Sequence, residues 1–298
     1  MADPSLLRAT WDALVQGHVA IESPASVAIG SFDGLHRGHA ELIRRLAGTN
    51  IQSKVVVTFR QPPRSVLSGE SADRLMTARQ KEQRLQALGV THLLVIDFSR
   101  AFSSIAGKDF LAALQRSVPL ALLVVGSDFR CGTGRDTGVA EMRRQLGPAG
   151  VVVDSVEPIQ HRGEPVSSSR IRRAIRAADF ATATELLGRP YTIEIEVGGG
   201  KVTSSASSKN GGDSTEGGNT YSVARAAIGQ LLPEPGSYPA FEVDRDRRMP
   251  VIVVVSAAAV ALRSQERLDA LRGHTIEFDA VDGLRVADVA ERHAAGTR

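Results

Sequence analysis

The chain has 298 residues, of which 42% are hydrophobic and 23% charged, with a formal net charge of +3. That length suits one large or two ordinary domains, and that apolar share can fill a substantial core. The basic excess is mild and spread along the chain, which excludes the Lys/Arg block of a nucleic-acid tail; a few arginines around a phosphate-bearing ligand account for it. Short β-branched runs at 27–29, 54–59, 93–96, 122–125 and 151–153 alternate with amphipathic stretches at 39–46, 78–88, 108–115 and 139–146. Strand and helix taking turns predict an α/β domain, a parallel sheet wrapped by helices. Two more helices are predicted over 168–177 and 180–187, and Gly188-Arg189-Pro190 stops the run.

The character changes after Pro190. Residues 191–197 alternate as a strand does, whereas 198–220 is rich in Gly, Ser and Asn. With almost no apolar residue to offset its ordering entropy, that stretch is expected to be a long flexible loop. Strand-like pieces at 241–243, 251–255 and 275–278 and a closing helix at 285–293 predict a small β-rich domain. The expected division is therefore 1–190 and 191–298. The single cysteine, Cys131, allows no intrachain disulfide or cysteine-based metal site and reads as a small buried hydrophobe. Trp11 reads as packing for the N-terminal arm. Met1-Ala2-Asp3-Pro4-Ser5 lacks the features of a secretory signal, and the longest apolar run, 251–262, is shorter than the ~20 residues of a bilayer span. A cytoplasmic protein with neither membrane nor nucleic acid as partner is expected.

The densest chemistry lies at Gly30-Ser31-Phe32-Asp33-Gly34-Leu35-His36-Arg37-Gly38-His39, between the first strand and the first helix. Open parallel sheets bind ligands at the carboxyl ends of their strands, where helix N-termini offer N–H groups and a positive dipole end to anions. Gly38 removes a side chain where a phosphate would approach the backbone. His36 and His39, three apart, share one turn, and two donors on one polyphosphate suit a reaction that builds charge on phosphoryl oxygens. Two structural histidines beside a turn would be the blander account, but His-x-Gly-His on a strand-to-helix junction favours function. Asp33 either orients the turn or touches substrate. A second cluster, Pro165-Val166-Ser167-Ser168-Ser169-Arg170-Ile171-Arg172, opens a predicted helix. Its serines alone are N-cap chemistry. With Arg170 and Arg172 in the first turn they become a phosphate clamp of hydroxyls, helix N–H groups and guanidinium donors. Both clusters are expected to meet at one polyphosphate.

Together they resemble the paired signature of the nucleotidylyltransferase superfamily, and more closely the adenylyltransferase half of prokaryotic bifunctional riboflavin kinase/FAD synthetases. Val57-Thr58-Phe59 resembles that family's Thr-Phe strand end, and Val125-Gly126-Ser127-Asp128-Phe129-Arg130-Cys131-Gly132 its Val-Gly-x-Asp-Phe-Arg-Phe-Gly. Leu187-Gly188-Arg189-Pro190-Tyr191 is similar to the junction between its halves. The resemblance implies a Rossmann-like domain that joins FMN to the AMP part of ATP, giving FAD and pyrophosphate, with Mg²⁺ accompanying ATP. It implies that His36, His39 and Arg172 are catalytic. Gly30, Ser31, Phe32, Asp33, Gly38, Thr58, Phe59, Asp128, Arg130, Ser167, Ser168, Ser169 and Arg170 would then line the substrate and nucleotide sites, with no protein metal ligand.

The sequence also departs from that pattern. Gln61-Pro62-Pro63 stands where the family often has Pro-His-Pro, Ser31 where Asn is usual, Cys131 where Phe is, and Ser169 where Thr is. In the second half the resemblance implies a riboflavin kinase barrel with a Gly-Phe/Tyr-Pro-Thr-Ala-Asn motif whose Thr and Asn serve ATP and magnesium. The nearest match is Arg225-Ala226-Ala227-Ile228-Gly229-Gln230, in which Ile228 has no hydroxyl and Gln230 replaces the Asn. Loss of the kinase activity is therefore expected, metal sites being strict about their ligands. An adenylyltransferase for another phosphorylated acceptor and an idle nucleotide-binding paralogue are the competing accounts.

Overall fold

A computed structural model describes residues 6–69, 73–195, 219–244, 247–266, 268 and 273–280. The chain forms two compact units, Met1–Ala72 with Ala78–Val166, and Asp73–Thr77 with Ser167–Arg298.

The first unit contains β1 (Leu7–Thr10), α1 (Trp11–Val15), β2 (Ala25–Ile29), α2 (Arg37–Ala47), β3 (Ser53–Phe59), α3 (Pro63–Ser68), α4 (Ala78–Ala87) and β4 (His92–Ile96). There follow α5 (Arg100–Ser103), α6 (Gly107–Ser117), β5 (Leu120–Gly126), α7 (Val139–Leu146), β6 (Val152–Val156) and a short hairpin of β7 (Gln160–His161) and β8 (Glu164–Pro165). The six main strands form a parallel sheet in the order β1-β4-β3-β2-β5-β6. From β2 the chain lays β3 and β4 to one side, then crosses back to lay β5 and β6 on the other. The order therefore reverses between β2 and β5, the place where a crevice opens at the carboxyl ends of a parallel sheet.

Every residue of β2 is buried, as expected for a strand covered on both faces. The helices cover it with apolar stripes: Leu42, Ile43 and Leu46 on α2, Phe110, Leu111 and Leu114 on α6, and Met142 and Leu146 on α7. The β1–α1 arm, which no sequence pattern predicted, adds an edge strand beside β4. Buried Trp11 holds it there, its ring 5.1 Å from Phe110 and 6.5 Å from Phe102.

The second unit opens with α8 (Ser168–Arg176) and α9 (Phe180–Leu187). Its strands are β9 (Thr192–Ile195), β10 (Asn219–Ala224), β11 (Gly236–Asp244), β12 (Arg247–Val255), β13 (Ala259–Ser264) and β14 (His274–Phe278). They pair antiparallel in the order β10-β13-β12-β11-β14-β9, a half-barrel sheet. The apolar run at 251–262 is thus two strands joined by a turn that starts at Ser256. Phe180 of α9 stacks on Phe278 of β14 at 4.5 Å and 11°, with Tyr238 edge-on at 5.8 Å. This aromatic packing ties the two helices to the sheet, so the compact units part at Val166/Ser167, ahead of the division at Pro190 read from composition. The loop expected at 198–220 lies outside the described residues except for its last two, which open β10; the helix expected at 285–293 lies wholly outside them. No helix among the described residues is long and apolar enough to cross a membrane.

Gln230 illustrates how the second unit is held. Its Oε1 accepts the Glu194 N–H at 2.7 Å, and its Nε2 donates to the Thr192 carbonyl at 2.9 Å and the Leu75 carbonyl at 3.4 Å. The side-chain amide imitates a neighbouring strand against β9.

The core of the first unit supplies a stability test. Leu123 of β5 is fully buried, and Leu123→Ala is expected to lower stability by about 2–5 kcal/mol, read from urea unfolding of the whole chain. A loss below about 1 kcal/mol would mean that β5 is not a central, two-sided strand.

Candidate active site

The chain leaves β2 through a tight turn. Phe32, Gly34 and Leu35 all have positive φ, 49°, 81° and 40°. Glycine adopts this without penalty, whereas the two L-residues each cost on the order of 1–3 kcal/mol. Both side chains are buried, Phe32 completely, and that burial offsets the strain. The turn is also pinned from outside. The Ser31 carbonyl accepts from the Thr58 hydroxyl at 3.0 Å and from the Lys81 ammonium at 2.9 Å. Lys81 Nζ lies 3.4 Å from Thr58 Oγ1 as well, so β2, β3 and α4 converge on one oxygen.

The two imidazoles follow. His36 is the N-cap of α2, with extended φ/ψ of −70° and 173°, and its Nδ1 accepts the His39 amide N–H at 3.3 Å. Histidine is an unusual cap; the ring nitrogen does what a Ser or Asp oxygen does elsewhere. While Nδ1 accepts that bond it carries no proton, so the neutral ring holds its proton on Nε2. The His39 ring stacks on it, centroids 3.6 Å apart and 17° from parallel, with Phe32 5.2 Å away on His39. His39 is held well below the ordinary histidine range, first by burial, then by the neighbouring His36 and Lys81. Its Nδ1 is buried with no hydrogen-bond partner among the described residues. Asp33 and His36 are both buried in the same turn.

Gly38 has a reason that the sequence did not disclose. A Cβ there would lie 3.2 Å from His36 Cε1 and 3.3 Å from His36 Nδ1. The absent side chain makes room for the imidazole as well as for any phosphate.

Thr58 is buried at the end of β3 beside this turn. Phe59, one residue on, meets Phe98 edge-on at 5.7 Å and packs against the core. Asp128 and Arg130 are exposed in the loop after β5, β2's other neighbour in the sheet. Arg130 Nε donates to the Arg135 carbonyl at 2.7 Å, which orders that loop. The glycine-rich stretch beyond it is structural: the Asp136 carboxylate caps α6 by accepting the Gly107 N–H at 3.0 Å. Cys131 is half-buried, with its thiol pushed up to about 11, chiefly by burial and then by Asp136, and is therefore unreactive. The first unit thus brings Gly30, Ser31, Phe32, Asp33, His36, Gly38, His39 and Thr58 to the ends of β2 and β3, with Asp128 and Arg130 following β5.

In the second unit, Ser167 caps α8 by accepting the Arg170 N–H at 3.3 Å. Ser168 and Ser169 occupy the first turn, Ser169 exposed. Arg172 is half-buried and its Nε donates to the Asp73 carbonyl at 2.8 Å. Ile171, Ala174 and Ile175 form the buried face that fixes the helix. Among the described residues no group of three or more His, Cys, Asp or Glu is placed to hold a metal ion. Lys81 is the site residue that sequence reasoning missed. It sits in Ala78-Arg79-Gln80-Lys81-Glu82-Gln83-Arg84, which reads as an ordinary solvated helix face, and no local signal separates it from the other cations there.

The FAD synthetase family model matches residues 18–170. The FAD synthetase of Listeria monocytogenes is 30% identical over 183 residues, 60% of this chain and 74% of that protein. The bifunctional riboflavin kinase/FMN adenylyltransferase of Escherichia coli K12 is 30% identical over 172 residues, 56% of this chain and 55% of that protein. The chain thus spans about half the length of that bifunctional relative. Among solved structures, a macrolide-efflux protein from Streptococcus pneumoniae has a TM-score of 0.74 at 21% identity, over 98% of this chain and 97% of that one. That likeness is one of fold alone. The family match takes in the imidazole turn, Thr58, the Asp128 loop and the start of α8, and by it this chain belongs to the FAD synthetase family of nucleotidyltransferases.

Proposed function

We propose that this chain transfers the AMP moiety of ATP to FMN, forming FAD and releasing pyrophosphate. The observation that carries this reading is the stacked imidazole pair at the N-terminus of α2, beside the point where the sheet order reverses. An FMN phosphate is largely dianionic at neutral pH, its second pKa being ~6. Its oxygen attacks the α-phosphorus of ATP, a new P–O bond forms, and the bond to the pyrophosphate oxygen breaks. No strong base is needed, so the work is alignment and neutralisation of charge.

His39 is the group assigned to the transition state, with His36 donating from Nε2 and the α2 amides adding their dipole. Ser168, Ser169 and Arg172 offer phosphate donors at the start of α8, with Ser167 and Arg170 shaping that helix start. Gly30, Ser31, Phe32, Asp33, Gly38, Thr58 and Phe59 form the wall at β2 and β3, and Asp128 and Arg130 line the nucleotide pocket. Mg²⁺ enters as part of the ATP substrate and neutralises the departing pyrophosphate. The turn's imidazole and amide nitrogens suit phosphate oxygens, whereas a hard cation takes oxygen ligands. ATP as substrate and a single cysteine both fit the cytoplasm.

We further propose that the second unit has no riboflavin kinase activity. Two observations support this: Ile228, at the position of the family's Thr, is a buried apolar side chain, and both ends of the Gln230 amide are engaged by backbone groups.

Incubation with FMN, ATP and Mg²⁺ is expected to yield FAD by chromatography, and His39→Ala to lower kcat by roughly 100-fold or more with an unchanged circular dichroism spectrum. Absence of FAD, or a fully active His39→Ala enzyme, would overturn the assignment. Riboflavin and ATP are expected to give no FMN; turnover at an ordinary enzymatic rate would restore the kinase. Gln230→Ala is expected to cost about 1–3 kcal/mol in urea unfolding, because the Glu194 N–H and Thr192 carbonyl lose their partner, while FAD formation is retained.

A further inference from the structure

We propose that Lys81 is a positioning residue for the adenylyl-transfer site: its ammonium clamps the Ser31 carbonyl and holds the strained turn that carries the stacked imidazoles. The inference rests on the adenylyl-transfer reading for its effect on rate, but its geometry stands apart from that reading. Ser31 follows directly on β2 and Gly30 and precedes Phe32, the first of the positive-φ residues. A turn with Phe32 and Leu35 in left-handed conformations stores strain and needs to be over-determined by its surroundings. Two donors on one carbonyl, at 2.9 and 3.0 Å, do that. One of them is charged, and hydrogen bonds from an ammonium are roughly twice as strong as neutral ones.

The clamp also has an electrical consequence. The groups acting on His39 are His36, stacked on it from the cap position, and Lys81 from α4; Asp33 is the carboxylate of the same turn. Burial does most to keep His39 neutral, then His36, then the Lys81 charge. A fixed cation beside the stack disfavours a proton on His39 and so preserves the neutral, face-to-face pair. The sign follows directly: removing the cation makes a proton on His39 easier to hold, so its titration midpoint moves to higher pH, while a cation of different shape leaves it low.

The test compares Lys81→Met, which removes donor and charge, Lys81→Gln, which keeps an N–H donor without charge, and Lys81→Arg, which keeps both. Proton NMR of the histidine C2–H signals, with His39 assigned through His39→Gln, follows the midpoint in the full chain without substrate. The kcat for FAD formation is measured at pH 8, where His39 is neutral in every variant. Lys81→Met and Lys81→Gln are expected to raise the His39 midpoint and Lys81→Arg to leave it. Lys81→Met is expected to lower kcat by roughly tenfold or more, with Lys81→Gln and Lys81→Arg recovering part of the loss. Should Lys81→Met fail to fold, Lys81→Gln against Lys81→Arg decides by the same midpoint. An unchanged midpoint in the uncharged variants, together with wild-type kcat, would overturn the proposal. If the wild-type chain makes no FAD, the adenylyl-transfer reading fails, and the titration still decides whether Lys81 governs the imidazole pair.

Discussion

The bond from the His39 amide to His36 Nδ1 is the constraint on which the imidazole turn depends. It starts α2, because it satisfies one of the orphan N–H groups of the first turn. It also selects the tautomer of His36, because a nitrogen that accepts cannot carry the proton. By drawing the cap ring over the first turn it places the two imidazoles face to face at 3.6 Å. In that arrangement two positive charges would repel, and after burial the neighbouring His36 helps to hold His39 below the ordinary histidine range. Gly38 belongs to the same constraint, since a side chain there would press on the His36 ring.

Around that bond the sheet supplies rigidity and the turn supplies strain. β2 is buried over its whole length, and the chain turns sharply after it to enter α2. The left-handed residues Phe32 and Leu35 are the consequence, tolerated because both side chains are buried and because Thr58 and Lys81 hold the Ser31 carbonyl. A turn mounted on a central strand keeps its donors in fixed positions.

The second unit shows a different use of a polar side chain. The Gln230 amide serves β9 as if it were another strand. A glutamine can do this because its carbonyl and amino groups repeat the spacing of a backbone acceptor and donor. The segment around it is tied down likewise: the Tyr191 hydroxyl donates to the Leu231 carbonyl, and the Leu231 N–H to the Arg74 carbonyl. Polar chemistry in this region is therefore invested in architecture.

Much of this was legible in the chain. The strands β2 to β6 and helices α2, α4, α6 and α7 follow from hydrophobic periodicity, which is a property of a short window of sequence. The imidazole turn and the serine–arginine helix start are likewise local motifs, and their residues carry their chemistry wherever the fold places them. Tertiary structure decided the rest. The β1–α1 arm is a strand only because β4 offers it an edge and Trp11 a pocket. The helices at 168–187 join the second unit because Phe180 finds Phe278, nearly a hundred residues away in sequence. Lys81 meets the imidazole turn because α4 brings its ammonium to a carbonyl 50 positions earlier. Periodicity and motif report what a segment can bury or bind; which distant partner completes it depends on contacts between residues far apart in the chain, and those exist only once the chain has folded.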